Sequence, residues 1–373
     1  MLKIKNHPGF LTSNYRGFQL NKYTCAVLIC GSLMAGNALA ADVDPVSRAL
    51  DVYTSDYYAG KEAVSTEKNV VVASAASVAP APAPMAEAPA AAMTGTALAD
   101  KINRPKHEFS FGVERYQYKY HEYDSDGAKF MHLRGYYNGL YSTYTFRPAD
   151  VDSVIEQIVS FYRAELRYAT GRVNYTGGSS DAFGNVTGFT FNGVKDYTYE
   201  VRGLLGKEYA LGHGWAASPY AGLGWRYLND GAQVMPGGYN RESKYLYLPL
   251  GIDVSVDLPA AWSLVENVEF DWLIKGSQTS HLEDLDSSLR PLVNDQRKGF
   301  GWRTSLKVVK AFPHMKFSIE PYYRFWHIQK SSVEPWSTQD GSAVAGPIPG
   351  TIIVGWEPDN ITQEAGVKLG AQF

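Results

Sequence analysis

Cysteine is nearly absent from this 373-residue chain, and its two copies, Cys25 and Cys30, both lie close to the N-terminus. Once that region is removed, no disulfide, thiolate nucleophile or cysteine-bound metal remains. Long apolar runs are missing too, since nothing approaches the roughly 20 consecutive residues that a membrane-crossing helix requires. Neither sign of charge is in excess: Lys+Arg 35 and Asp+Glu 38 leave a net −3. No basic cluster with interleaved aromatics points to nucleic acid. A nucleophile elbow, a phosphate-binding glycine loop and a zinc-binding His pair are likewise not found, and no cofactor is implied.

What the chain has in quantity is tyrosine (26) and glycine (35), with aromatics at 13% and charged residues at 20%. That mixture suits strands that are apolar on one face only. Before the strands comes an export signal, residues 1–40. Lys3, Lys5, Arg16 and Lys22 form a basic leader, 25–33 is an apolar run, and Ala38-Leu39-Ala40 fits the cleavage pattern. Residues 41–106 form an arm whose centre, 73–92, is almost wholly Ala, Pro, Ser, Val and Met. Such a composition cannot bury a core, so a disordered periplasmic arm is predicted, with an unidentified periplasmic partner left open.

From Glu108 onward the pattern repeats every two residues. Leu246, Leu248, Leu250, Ile252, Val254 and Val256 alternate with Tyr245, Tyr247, Pro249, Gly251, Asp253 and Ser255. This stretch is long enough to cross a bilayer as a tilted strand. The same alternation predicts about ten strands, at 108–122, 129–146, 160–175, 195–210, 217–228, 243–258, 261–275, 298–311, 315–329 and 361–373. In the first, a change of apolar face between Val113 and Tyr116 predicts either a bulge near Glu114 and Arg115 or a strand that leaves the bilayer. Long polar connections at 177–194, 229–242, 276–297 and 331–360 alternate with short ones. The predicted class is therefore all-β: a transmembrane antiparallel up-and-down barrel over 107–373, placed in the cell outer membrane with its long loops outside. Its partners would be outer-membrane lipid, lipopolysaccharide and the assembly machinery.

The last strand ends on Phe373 with Ala365, Val367, Leu369 and Ala371 on one face. This resembles the terminal signal by which outer-membrane proteins are recognised for assembly. In strand count and in the stretch 268–281 the chain also resembles the ten-stranded omptin proteases. That resemblance implies a pair of aspartates at one strand end facing an Asp-x-His pair at another, which together position a water. Here the acids Glu283, Asp284 and Asp286 follow His281 instead of preceding it, and Asp150-Val151-Asp152 falls in a turn predicted on the opposite side of the membrane. The architecture is omptin-like without the omptin site.

The face opposite the apolar one is charged. It carries Arg163, Glu165, Arg167, Glu200, Arg202 and Arg226, then Asp253, Glu269, Asp271, Arg303, Glu320 and Arg324, and also Lys275, Lys307, Lys316, Glu364 and Lys368. In so narrow a barrel these side chains are predicted to pair across neighbouring strands, Arg167 with Glu200 among them, and to fill the lumen. Glu122, Asp124 and Asp126 could hold Ca²⁺ weakly, though Asp-x-Asp-Gly is commonly a solvated turn. Apolar residues in the last long loop, from Val333 to Trp356, suggest a lid packed over the barrel mouth. Three functions follow: a non-enzymatic surface or structural barrel, which the sequence favours, a narrow porin, and an omptin-like protease.

Overall fold

The computed structural model describes residues 104–124, 127–148, 158–180 and 186–373. The expected signal peptide, nearly all of the expected arm and Asp150-Val151-Asp152 lie outside these residues.

Ten long strands form one antiparallel sheet: β1 (His107–Tyr123), β2 (Lys129–Phe146), β3 (Phe161–Ser180), β4 (Val186–Gly206), β5 (Trp215–Asp230), β6 (Arg241–Leu258), β7 (Trp262–Ser280), β8 (Gly299–Ala311), β9 (Lys316–Ile328) and β10 (Asp359–Gln372). Each pairs with its sequence neighbour, and β10 returns to pair with β1 from Ser110↔Gln372 to Tyr123↔Asp359, so the sheet closes on itself. Closure removes both sheet edges, as a barrel in lipid requires, because backbone groups there have no water to bond. The fold is that of an outer-membrane β-barrel.

The outward face is an apolar belt. Phe109, Phe111, Leu140, Leu166, Val201, Leu223, Val268, Phe270 and Leu369 are each more than 40% exposed. Toward the loop end the belt is rimmed by aromatic rings, with Tyr199 and Tyr227 stacked at 4.6 Å and Trp225 5.3 Å from Tyr199. One end carries the tight connections through Gly212-His213-Gly214 and Ala260-Ala261, all at positive φ, and also holds Phe373. The long connections leave the other.

Four sequence expectations need correction. No bulge exists at Glu114 and Arg115, since β1 keeps register with both neighbours until a shift between Glu122 and Tyr123. The even-numbered residues from Glu114 through Tyr116, Tyr118 and Tyr120 to Glu122 are instead one inward, buried face. The tyrosines look apolar in sequence but serve the lumen. Residues 177–194 are largely strand, with β3 and β4 continuing as a hairpin paired from Asn174↔Asn192 to Ser180↔Val186. Above the belt its inward face carries Tyr175, Phe189 and Phe191, packed against the buried tyrosine cluster, while Asn174, Thr176, Thr190 and Asn192 face outward to water, so a weaker alternation with polar and glycine residues replaces the lipid-facing one. Strand β7 runs on to Ser280, and the short strand Leu292–Gln296 pairs with it. Between Leu246 and Tyr247 the register against β7 shifts, which leaves Ile274 as the extra residue and turns Lys275 outward rather than into the lumen.

Candidate functional site

Among the described residues, the lumen is where many chemically capable groups converge, and alternation along the strands puts them there. At mid-height stand two linked hubs. In the first, Glu114 of β1 accepts from Arg167 Nε at 2.5 Å, from Arg324 Nη2 at 3.0 Å and from the Tyr322 hydroxyl at 2.8 Å. Glu364 of β10 accepts from Arg167 Nη2 at 2.9 Å and Arg226 Nη2 at 3.0 Å, and Arg324 Nε lies 3.2 Å away. In the second hub, Glu200 accepts from Arg303 at 3.1 Å and from the Tyr247 hydroxyl at 2.5 Å. Glu269 accepts from Arg202 at 2.5 Å and from the Tyr220 hydroxyl at 2.6 Å, while Asp271 accepts from Arg303 at 2.8 Å.

The geometry of these contacts matters more than their number. Arg226 on β5 reaches Glu364 on β10, which stands opposite it in a ten-stranded ring, and Arg303 on β8 reaches Glu200 on β4. Arginine rings the remaining space with aromatic stacking: Arg167 lies 4.7 Å from the Tyr116 ring centre and Arg324 4.3 Å from that of Tyr322. Glu114, Glu269, Asp271 and Glu364 are each no more than 3% exposed. Buried charges require this degree of pairing, since each unpaired ion would cost several kcal/mol.

Nearer the turn end, Arg163 donates to Asp253 at 2.9 Å, and Glu320 sits between Lys368 at 3.0 Å and Lys307 at 3.4 Å. Of the seventeen charged residues expected on the inward face, all but Lys275 and Lys316 are in such contacts, but Arg167 and Glu200 do not take each other as partners. Arg167 and Glu200 oppose each other in register, yet Arg167 bonds Glu114 and Glu364, and Glu200 bonds Arg303. Glu165 and Arg202 are an adjacent pair that does meet, at 3.3 Å. Arginine is long enough to span the lumen, so register alone does not select its partner.

At the loop end lies a group that sequence reasoning missed. Asp196 of β4 and Asp230 of β5 are opposed in register, both buried. Arg241 of β6 binds Asp230 at 2.7 Å and reaches across to Glu122 of β1 at 2.6 Å. The Tyr120 hydroxyl lies 2.9 Å from both Glu122 Oε1 and Glu357 Oε1. A hydroxyl has one proton and can donate to one carboxylate at a time, so Glu357 fits best when it carries a proton of its own. Burial, reinforced by the nearby Glu122 carboxylate, pushes the Glu357 carboxyl up to about 8. Nothing in the period-2 pattern marked Glu357, which sits in a loop just before β10.

His281 stands elsewhere. Its Nδ1 is 2.7 Å from Glu283 and its Nε2 3.5 Å from Glu242, on the outward side of β6. Asp286 caps the turn at Ser288, and Asp124 Oδ1 accepts from the Ala128 amide in the first hairpin, while Glu122 points into the lumen instead. The last loop packs against the 281–298 connection, with Trp336 and Val344 on Leu282, Leu289 and Leu292. Ile348 and Ile352 remain exposed.

No family model matches the chain, and no curated protein matches it. Among solved structures, the outer membrane protease OmpT from Escherichia coli is similar at 12% identity and a TM-score of 0.47, over 72% of this chain and 96% of that one. The transport unit of the autotransporter AIDA-I from Escherichia coli is similar at 11% identity and a TM-score of 0.33, over 73% and 91%. The Pseudomonas putida toluene transporter TodX is similar at 10% identity and a TM-score of 0.28, over 72% and 90%. The assignment to the outer-membrane barrel fold stands on the strand register and belt of this chain.

Proposed function

We propose that this protein resides in the outer membrane as a closed, non-enzymatic barrel that presents long loops at the cell surface. The carrying observation is that side chains from opposite walls touch directly at two levels: Arg226 with Glu364 and Arg303 with Glu200 at mid-height, Arg241 with Glu122 at the loop end. A water-filled pore lined by charges would leave those groups hydrated and apart; here they are buried and bonded to one another. The loop-end carboxylates and the packed last loop add a second closure above the first. His281 supports no hydrolytic reading, because it faces away from the Asp196–Asp230 pair instead of joining it.

Planar-bilayer recording of the purified full chain tests this reading. The expected result is no stable open-channel conductance at moderate voltage. Steady, ion-selective steps from the wild-type protein would overturn it in favour of the narrow porin.

A further inference from the structure

The first hairpin brings together two histidines whose spacing in the sequence matches no metal motif. His121, near the end of β1, and His132, near the start of β2, are direct partners in the antiparallel register, and both stand on the outward face at the loop end. Their ring centres are 6.0 Å apart, with the planes inclined at 45°. Both side chains are half-buried, and Nδ1 of His121 is closed off from solvent without a hydrogen-bond partner. Other histidines are occupied: His107 is 2.8 Å from the Tyr144 hydroxyl, His281 2.7 Å from Glu283 and His327 2.7 Å from Asp359. His121 and His132 have no such bond among the described residues to fix a tautomer, so each ring can offer a nitrogen lone pair to a ligand.

The distance suits a shared metal ion. An imidazole nitrogen binds a transition metal at about 2 Å, and with each ring centre roughly 1 Å behind its nitrogens two rings on one ion stand up to about 6 Å apart. The observed separation is at that span, and a modest turn of either side chain brings the nitrogens closer. Among the described residues no third His, Cys, Asp or Glu joins the pair, so solvent must fill the remaining positions. Lys119, Lys129 and Arg134 stand around it. An arriving cation therefore meets like charge, and only bonds to nitrogen can outweigh that repulsion. Ca²⁺ and Mg²⁺, which take oxygen ligands, are excluded on this ground; of the divalent first-row metals Cu²⁺ binds such sites most tightly, with Zn²⁺ behind it.

We propose that His121 and His132 form a surface site for Cu²⁺, with two imidazoles holding one ion across β1 and β2 and water completing its coordination. The ion ties the two strands together just before the register shift between Glu122 and Tyr123, and so stabilises the folded hairpin by mass action. The site is separate from the lumen, because Glu122, the next residue after His121, points inward to Arg241.

The test titrates Cu²⁺ into the untagged full-length barrel folded in detergent, followed by calorimetry and electron paramagnetic resonance. Wild type is expected to take up one tight equivalent whose spectrum carries the couplings of two imidazole nitrogens. His121→Gln and His132→Gln, each checked for heat-modifiable mobility, should weaken that equivalent by about tenfold or more, because one of two protein donors is gone. His314→Gln, at an exposed turn, should leave it unchanged. Ca²⁺ should not compete, and added sodium nitrate should tighten binding by screening the three cations, whereas a carboxylate site would weaken. The wild-type spectrum decides even if a variant fails to fold: no tight equivalent, or one with fewer than two nitrogens, overturns the proposal. Unchanged affinity in both histidine variants, an equal loss in His314→Gln, displacement by Ca²⁺ or weakening by salt would overturn it as well.

Discussion

Glu114 anchors the first lumen hub, holding Arg167, Arg324 and Tyr322, and it is also the residue that the sequence pattern read as a bulge. Replacing it with Gln leaves Arg167 and Arg324 each short of an anionic partner in a buried site, so Glu114→Gln is expected to destabilise the barrel by about 3–5 kcal/mol, less where water enters. Urea unfolding in detergent measures this, and a double-mutant cycle locates it. The coupling between Glu114 and Arg167, bonded at 2.5 Å, should exceed that between Glu200 and Arg167, which face each other in register but bond elsewhere. The reverse order would show that register, not reach, chooses the partners.

Glu357 gives a pH dependence whose sign follows from its raised carboxyl. The folded state holds this proton up to about pH 8, whereas the unfolded chain releases it near the ordinary carboxylate value. Its contribution to holding the loop is therefore complete below that ordinary value and is lost as pH rises through about 8. The loop base is tied by the Ser331 amide donating to the Glu357 carbonyl at 3.0 Å. Amide exchange in 331–357, corrected for intrinsic rates, should accelerate between about pH 6 and 9, and Glu357→Gln should flatten that rise. A wild-type profile as flat as the variant's would remove Glu357 from the closure.

Among elements, the turn between β6 and β7 is the least comfortable. Ala260 and Ala261 adopt φ of 57° and 59°, a left-handed conformation that costs an alanine roughly 1–2 kcal/mol and a glycine almost nothing. Ala261→Gly is thus expected to raise stability by about 1 kcal/mol, read as a higher unfolding midpoint with an unchanged slope. A lower midpoint would mean that the methyl group contributes more through contact than it costs in backbone strain. The strands themselves were legible wherever one face met lipid, as on β6 and β7. They were missed in the β3–β4 hairpin above the belt, where Tyr175, Phe189 and Phe191 on one face do alternate with Asn174, Thr176, Thr190 and Asn192 on the other, but the outward face is polar rather than lipid-facing and the glycines around it read as a loop. Lys275 shows the opposite failure: the alternation was real, but one extra residue at Ile274 reversed it.

At the scale of the whole molecule, closure depends on β10 lying between β9 and β1. Phe373 completes that seam, with its amide donating to the Phe109 carbonyl at 2.9 Å and its ring 6.0 Å from that of Phe111. Because an unclosed sheet leaves two unsatisfied edges in lipid, deleting Phe373 is expected to reduce folded, heat-modifiable protein far more than deleting 73–92. Equal yields from the two deletions would separate Phe373 from assembly. The sequence by itself determined the class of this protein, its approximate strand count and which side chains face inward on most strands. Those properties follow from a period of two between two solvents and are written locally. Only the tertiary structure decided which charges meet and that Glu114 and Glu357 belong to the closure. Each of these depends on residues far apart in the chain being brought within a side chain's length by the curvature of a closed sheet.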